Sequence, residues 1–232
     1  MKVLESTIEG VRLYGMDSPE FEPALLELVG RAPLPLLRPA VPYSVIIENN
    51  SDRPVALLGI RFDMTAQKGK QVSVVHYADS LRNPEKADFR PGTKRFICAE
   101  PAYTSLVIRG EVVPNTRGRM NLDNLKRMLH IKASLDCAAF DDGRFLGPDS
   151  QNALARFARE RESELALLEQ ARQIAAEPIA TIEALLFEAV QDSADRGRRT
   201  ASRKLIEGLE AGGRDELMAR INAYRCRIAL SR

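Results

Sequence analysis

Up to Gly147-Pro148 apolar and polar residues alternate with period two, and beyond it apolar residues recur at helical spacing. Successive side chains on a strand point to opposite faces, so a period of two marks a half-buried strand. Over 129–140 the pattern places Leu129, Ile131, Ala133, Leu135, Cys137 and Ala139 on one face and His130, Lys132, Ser134 and Asp136 on the other. Residues 55–64 repeat it, with Ala56, Leu58, Ile60, Phe62 and Met64 inward and Arg61 and Asp63 outward. A third stretch, 103–113, sets Thr104, Leu106, Ile108 and Val112 against Ser105, Arg109 and Glu111.

Turn chemistry separates these segments. Asn49-Asn50-Ser51-Asp52 divides 43–48 from the strand at 55–64, and Lys68-Gly69-Lys70 precedes a strand at 71–77. Asp142-Gly143 is a two-residue hairpin signal, because such turns need positive φ. Several short strands with one apolar face and no intervening helices argue for two sheets packed face to face. In spacing, the stretch 35–148 resembles an immunoglobulin-like antiparallel β-sandwich, which implies a fold and no function. Ahead of it, residues 1–34 form a short N-terminal segment in which Asp17-Ser18-Pro19 offers a start for a helix through Leu25, Leu26, Leu28 and Val29. Pro33, Pro35, Pro39 and Pro42 then predict an extended lead-in rather than a polyproline docking motif.

Residues 149–232 read as a helical domain of three to four helices, so the expected class is α+β. Asp149 or Ser150 caps a first helix reaching about Glu177, with Leu154, Phe157, Leu165 and Leu168 inward, although Arg161 and Arg172 break the stripe. Pro178 opens a second helix through Ile179, Ile182, Leu186 and Ala189, which Gly197 ends. A third spans about Thr200 to Ala211 and stops at Gly212-Gly213, and a fourth carries Leu217, Ile221, Tyr224 and Ile228.

Composition narrows the function classes. Thirty-four basic against thirty-two acidic residues leave a net charge of +2, which gives no reason to expect a polyanion partner. No stretch approaches the roughly 18 apolar residues of a membrane span, and Glu5 and Glu9 interrupt the start where an export signal needs an apolar core. A cytoplasmic location without membrane insertion is the expectation. Cys98, Cys137 and Cys226 are odd in number and far apart, which suits reduced thiols.

Standard catalytic and cofactor motifs are absent. With only His76 and His130, a three-histidine zinc site is excluded. Cys137 and His130, seven apart on one strand, would lie roughly 23 Å apart on opposite faces. Cys98 with His76 stays open as a nucleophile and base, against the plainer reading of a small buried thiol and a satisfied histidine. The carboxylates Asp136, Asp141, Asp142 and Asp149 could hold a hard cation. An EF-hand fails, since placing Gly143 at loop position six puts Ala138 and Phe140 at ligand positions. Turn, cap and strand-face roles also account for these aspartates, so no metal and no cofactor are expected.

Two surfaces remain. Arg196, Arg198, Arg199, Arg203 and Lys204 form a basic run that could meet phosphates, but no aromatic lies between Phe187 and Tyr224 to stack on bases. Arg61, Asp63, Arg109, Glu111, Lys132 and Asp136 make a mixed-charge sheet face suited to a protein partner or to cross-strand ion pairs. The sequence therefore favours a non-catalytic interaction or scaffolding protein that binds a partner or itself. An enzyme with a dispersed site and a nucleic-acid binder using Arg196–Lys204 are the alternatives.

Overall fold

The computed structural model describes residues 1–6, 8–79, 89–104, 116–191 and 194–223. It is a mixed α+β protein with two open sheets, divided into two compact units between Gln151 and Asn152. The first unit contains β1 (Lys2–Val3), β2 (Val11–Gly15), α1 (Phe21–Val29), α2 (Leu34–Leu37), β3 (Ser44–Asn49), β4 (Val55–Ala66), β5 (Gln71–Asp79) and β6 (Lys94–Cys98). After them come a helix α3 that includes 101–104, α4 (Thr116–Lys126), β7 (Met128–Phe140) and β8 (Phe145–Leu146). The second holds α5 (Ala153–Gln173), α6 (Ile179–Gln191) and α7 (Arg196–Ala223). The sequence predicts three to four helices after residue 149; the described residues carry seven in all, because the first unit has four of its own.

The larger sheet runs β1-β7-β4-β5, with β8 on β7 through the Asp142-Gly143 turn; the smaller runs β2-β3-β6. β1 joins β7 in parallel, and the remaining pairings are antiparallel. One core collects residues from both sheets, among them Leu13, Ile47 and Phe96 from the smaller and Ile60, Phe62 and Ala133 from the larger. The alternation on β4 holds: Leu58, Ile60, Phe62 and Met64 are buried, while Arg61 and Asp63 are partly exposed.

Three irregularities in the β4–β7 pairing change what alternation predicts. Ala56 on β4, and Leu129 and Asp136 on β7, are each an extra residue opposite a single step of the partner strand. Each such bulge shifts the phase of the side chains beyond it. Leu129, expected inward, is therefore 57% exposed. Past Asp136 the faces exchange, so that Ala138 and Phe140 enter the core in place of Cys137 and Ala139. Asp136 itself, expected on the polar face, is 1% exposed.

Other elements depart from the expectations for local reasons. The prolines do not enforce an extended run: Pro35 and Pro42 sit in the first turns of α2 and of a 3-10 turn at Val41–Tyr43, where a fixed φ and a missing N–H cost nothing. Helix α1 starts at Phe21 behind Glu20, not at Pro19, and buries Phe21, Ala24 and Leu25. β2 and β6, five residues each, are too short to show a clear period, and α4 carries few apolar residues, reaching the core through Leu122 and Leu125. Residues 101–104 are helical, so the strand expected over 103–113 does not begin there, and its remainder, with Arg109 and Glu111, lies outside the described residues. Asn49, first in a glycosylation-like triplet, is fully buried and donates to the carbonyls of Arg53 and Phe89 at 2.8 and 2.7 Å, which ties the turn to the sheet.

In the second unit, Leu168, Ala171, Ile182, Leu186, Leu205, Leu209, Leu217 and Ile221 form the core. Leu165 is 44% exposed instead of inward, because the buried stripe of α5 runs through Glu164, which pairs with Arg161 at 3.3 Å. The break at Arg161 is thus a mostly buried ion pair, whereas Arg172 pairs with the exposed Glu169 at 2.6 Å. Gly197 does not end α6 but lies in the first turn of α7, where a β-carbon would collide with the Glu160 carbonyl oxygen. At Gly212-Gly213 α7 breaks, with Gly213 at φ +63°. Arg220 spans the break by donating to the Lys204 carbonyl, and its stem packs where a side chain on Gly208 would stand. Tyr224, Cys226 and Ile228 lie outside the described residues.

Candidate functional site

Cross-strand register assembles a polar group on the larger sheet. Asp63 stands opposite Ser73 on β5 and Lys132 on β7, and Arg61 lies two residues along the same face. Arg61 Nε donates to Asp63 Oδ1 at 2.8 Å, and the Ser73 hydroxyl donates to the same oxygen. Burial alone would raise the Asp63 carboxyl, but the bonds from Ser73 and Arg61 and the charges of Arg61 and Lys132 outweigh it and hold the group below its usual range. Arg61 and Asp63 are each about a third exposed, so the arrangement is ordered yet reachable. Of the residues expected on this face, Arg61, Asp63 and Lys132 come together. Asp136 does not, because its bulge turns it into the protein.

The structure also brings His76 to Cys98. His76 faces the interior from β5, packs against Phe62 with ring centroids 5.2 Å apart, and is hydrogen-bonded to the Cys98 backbone rather than to the sulfur. Burial pushes the His76 pKa down, opposed by that backbone bond. The Cys98 sulfur accepts the Glu100 N–H at 3.4 Å, and burial pushes the thiol up to about 11. A reactive thiolate needs the reverse environment. The second thiol–histidine pair differs from expectation in one respect: register places Cys137 on the same face as His130, because of the bulge between them.

At that bulge lies a group that alternation hid. Asp136, Cys137 and Asp149 are all buried, and one donor atom from each falls within 4.8 Å of the others. Asp149 N–H donates to the Asp136 carbonyl at 3.0 Å, and Ser150 N–H donates to Asp136 Oδ1 at 3.1 Å. Asp136 Oδ2 has no hydrogen-bond partner. Asp141 and Asp142 are not part of this group and pair with Arg53 at 3.7 and 3.5 Å. A sequence signal existed in Asp136-Cys137 followed by Gly147-Pro148-Asp149, but only the bulge brings consecutive side chains to one place.

The basic run occupies the start of α7. Asp195 Oδ1 accepts the Arg198 N–H at 2.9 Å and caps the helix. Arg196 and Arg203 are exposed, whereas Arg198, Arg199 and Lys204 are partly buried, so the five cations do not form one open stripe. Among the described residues no helix is long and apolar enough to cross a membrane.

Compared with protein-family models, with curated proteins and with solved structures, the chain matches none.

Proposed function

We propose that this is a non-catalytic interaction protein whose partner docks on the half-exposed sheet face around Arg61, Asp63 and Lys132. The supporting observation is that Arg61 and Ser73 are hydrogen-bonded to Asp63 across β4 and β5, with Lys132 on β7 standing opposite Asp63, so that both signs of charge are arrayed on three adjacent strands. Side chains already held in place lose less freedom on binding, and a fixed pattern of opposite charges selects a complementary surface and its register. The mixed signs weigh against nucleic acid, which calls for cations alone. The buried, high-pKa Cys98 and its backbone-bonded His76 weigh against an enzyme built on that pair. The finer architecture belongs to the same proposal: an immunoglobulin-like sandwich over 35–148 as the binding module, with 149–232 as a separate helical domain.

The test is to isolate the tagged protein from its host after nuclease treatment and to measure native mass, beside the variant Arg61→Glu/Lys132→Glu. A stoichiometric protein partner, or a defined homo-oligomer, that the variant loses at unchanged melting temperature is the expected result. A partner equally retained by the variant overturns the assignment of the face. A monomer that carries a small molecule and no protein overturns the function.

A further inference from the structure

We propose that Asp136, Cys137 and Asp149 form a buried site for one divalent cation of the zinc class. In a regular strand Asp136 and Cys137 would point to opposite faces. The bulge at Asp136 removes that constraint and lets both donors converge with Asp149, all three atoms within 4.8 Å. Two glycines make room. Opposite Cys137 stands Gly59, where a β-carbon would lie 2.7 Å from Sγ. Gly147, at φ +111°, lies against the bulge, where a β-carbon would meet the Asp136 carbonyl oxygen at 2.5 Å. The following loop then delivers Asp149 onto the bulge through its own N–H.

The second, independent observation is Asp136 Oδ2. Its carboxylate is 1% exposed, Oδ1 is engaged by Ser150, and Oδ2 has no partner. Buried polar atoms are seldom left so, because nothing on the protein side offsets their lost hydration. A cation does offset it, and it also relieves the proximity of two carboxylates. The donor set selects the ion. Calcium and magnesium take oxygen donors and leave a thiol unused, whereas zinc takes thiolate and carboxylate together in a four-coordinate shell. Three protein donors leave one position for a further ligand. Bonds of about 2.0–2.3 Å place tetrahedral donors about 3.5 Å apart, so the group draws inward on binding. Cys137 gives up its proton on ligation, so affinity rises with pH.

Cobalt(II) reports this site directly. The full-length protein, stripped with chelator, is titrated with Co²⁺ and then with Zn²⁺. The expected result is one Co²⁺ per chain with a near-ultraviolet thiolate-to-cobalt band that zinc removes, and a melting temperature raised by zinc. Cys137→Ser abolishes the band, Asp136→Asn and Asp149→Asn weaken binding tenfold or more, and Cys98→Ser retains it. No cobalt uptake by the unmodified chain overturns the proposal, and that measurement stands even where a core variant does not fold. The same band at unchanged affinity in folded Cys137→Ser or Asp136→Asn overturns it too.

Discussion

Gly59 and Cys137 face each other across β4 and β7, and a β-carbon on Gly59 would lie 2.7 Å from the Cys137 sulfur and 3.1 Å from the Tyr77 ring. The glycine is therefore a packing requirement rather than a turn residue. Gly59→Ala is expected to destabilise the first unit by about 1–3 kcal/mol, as overpacking does. Urea unfolding measures it. Because the closest clash is with the sulfur, Gly59→Ala combined with Cys137→Ala should cost less than the sum of the single changes. Strict additivity would sink this account of the contact.

Leu129 is the extra residue of a bulge and stands 57% exposed, two positions before Ile131 at 6%. Leu129→Lys should change stability by no more than about 0.5 kcal/mol. Ile131→Lys should cost about 3 kcal/mol or more, since it buries a charge without a partner. Equal losses at the two positions would mean that Leu129 points inward as simple alternation has it.

Cys98 is fully buried and its thiol is pushed up to about 11. At pH 7.5 the folded protein should leave Cys98 unalkylated by iodoacetamide over hours, with rapid labelling once denaturant is added. Peptide mapping distinguishes it from the other thiols. Labelling of Cys98 without unfolding would reopen the catalytic reading of the pair with His76.

Burial lowers the His76 pKa in the folded state. As pH falls through the ordinary histidine range near 6.5, the unfolded chain takes up a proton that the folded chain resists. Stability is thus fully present above that range and declines as pH falls toward the folded pKa, by at most about 1.4 kcal/mol per pH unit for one proton. Denaturation midpoints at pH 7.5 and 5.5 should differ in this direction, and His76→Gln should flatten the difference. A midpoint that rises on acidification would contradict a lowered His76 pKa.

The legible parts of the fold were those in which one face is wet. Over 58–64, Leu58, Ile60, Phe62 and Met64 alternate with half-exposed Arg61 and Asp63, and the strand can be read directly. From Leu135 to Phe140 every residue is buried, so polarity no longer marks the faces. There, simple alternation puts Asp136 on the wrong side, because a single extra residue leaves no signature in the order of apolar and polar residues. The same limit hid the Asp136–Cys137–Asp149 group, whose members are separated by one bulge and one returning loop. Arg61, Asp63 and Lys132 are legible as outward residues, but which of them stands opposite which, and that Ser73 bonds Asp63, depends on register.

The sequence by itself determined the two periods, the change between them after Gly147-Pro148, the hairpin turn at Asp142-Gly143 and the break at Gly212-Gly213. These are local properties: side-chain spacing along one segment, and the positive φ that glycine tolerates. Tertiary structure alone decided which strands pair, where three extra residues interrupt the pairing, and so which carboxylate is buried beside a thiol. Those outcomes depend on contacts between segments far apart in the chain, and a one-residue offset in such a contact exchanges the two faces of everything beyond it.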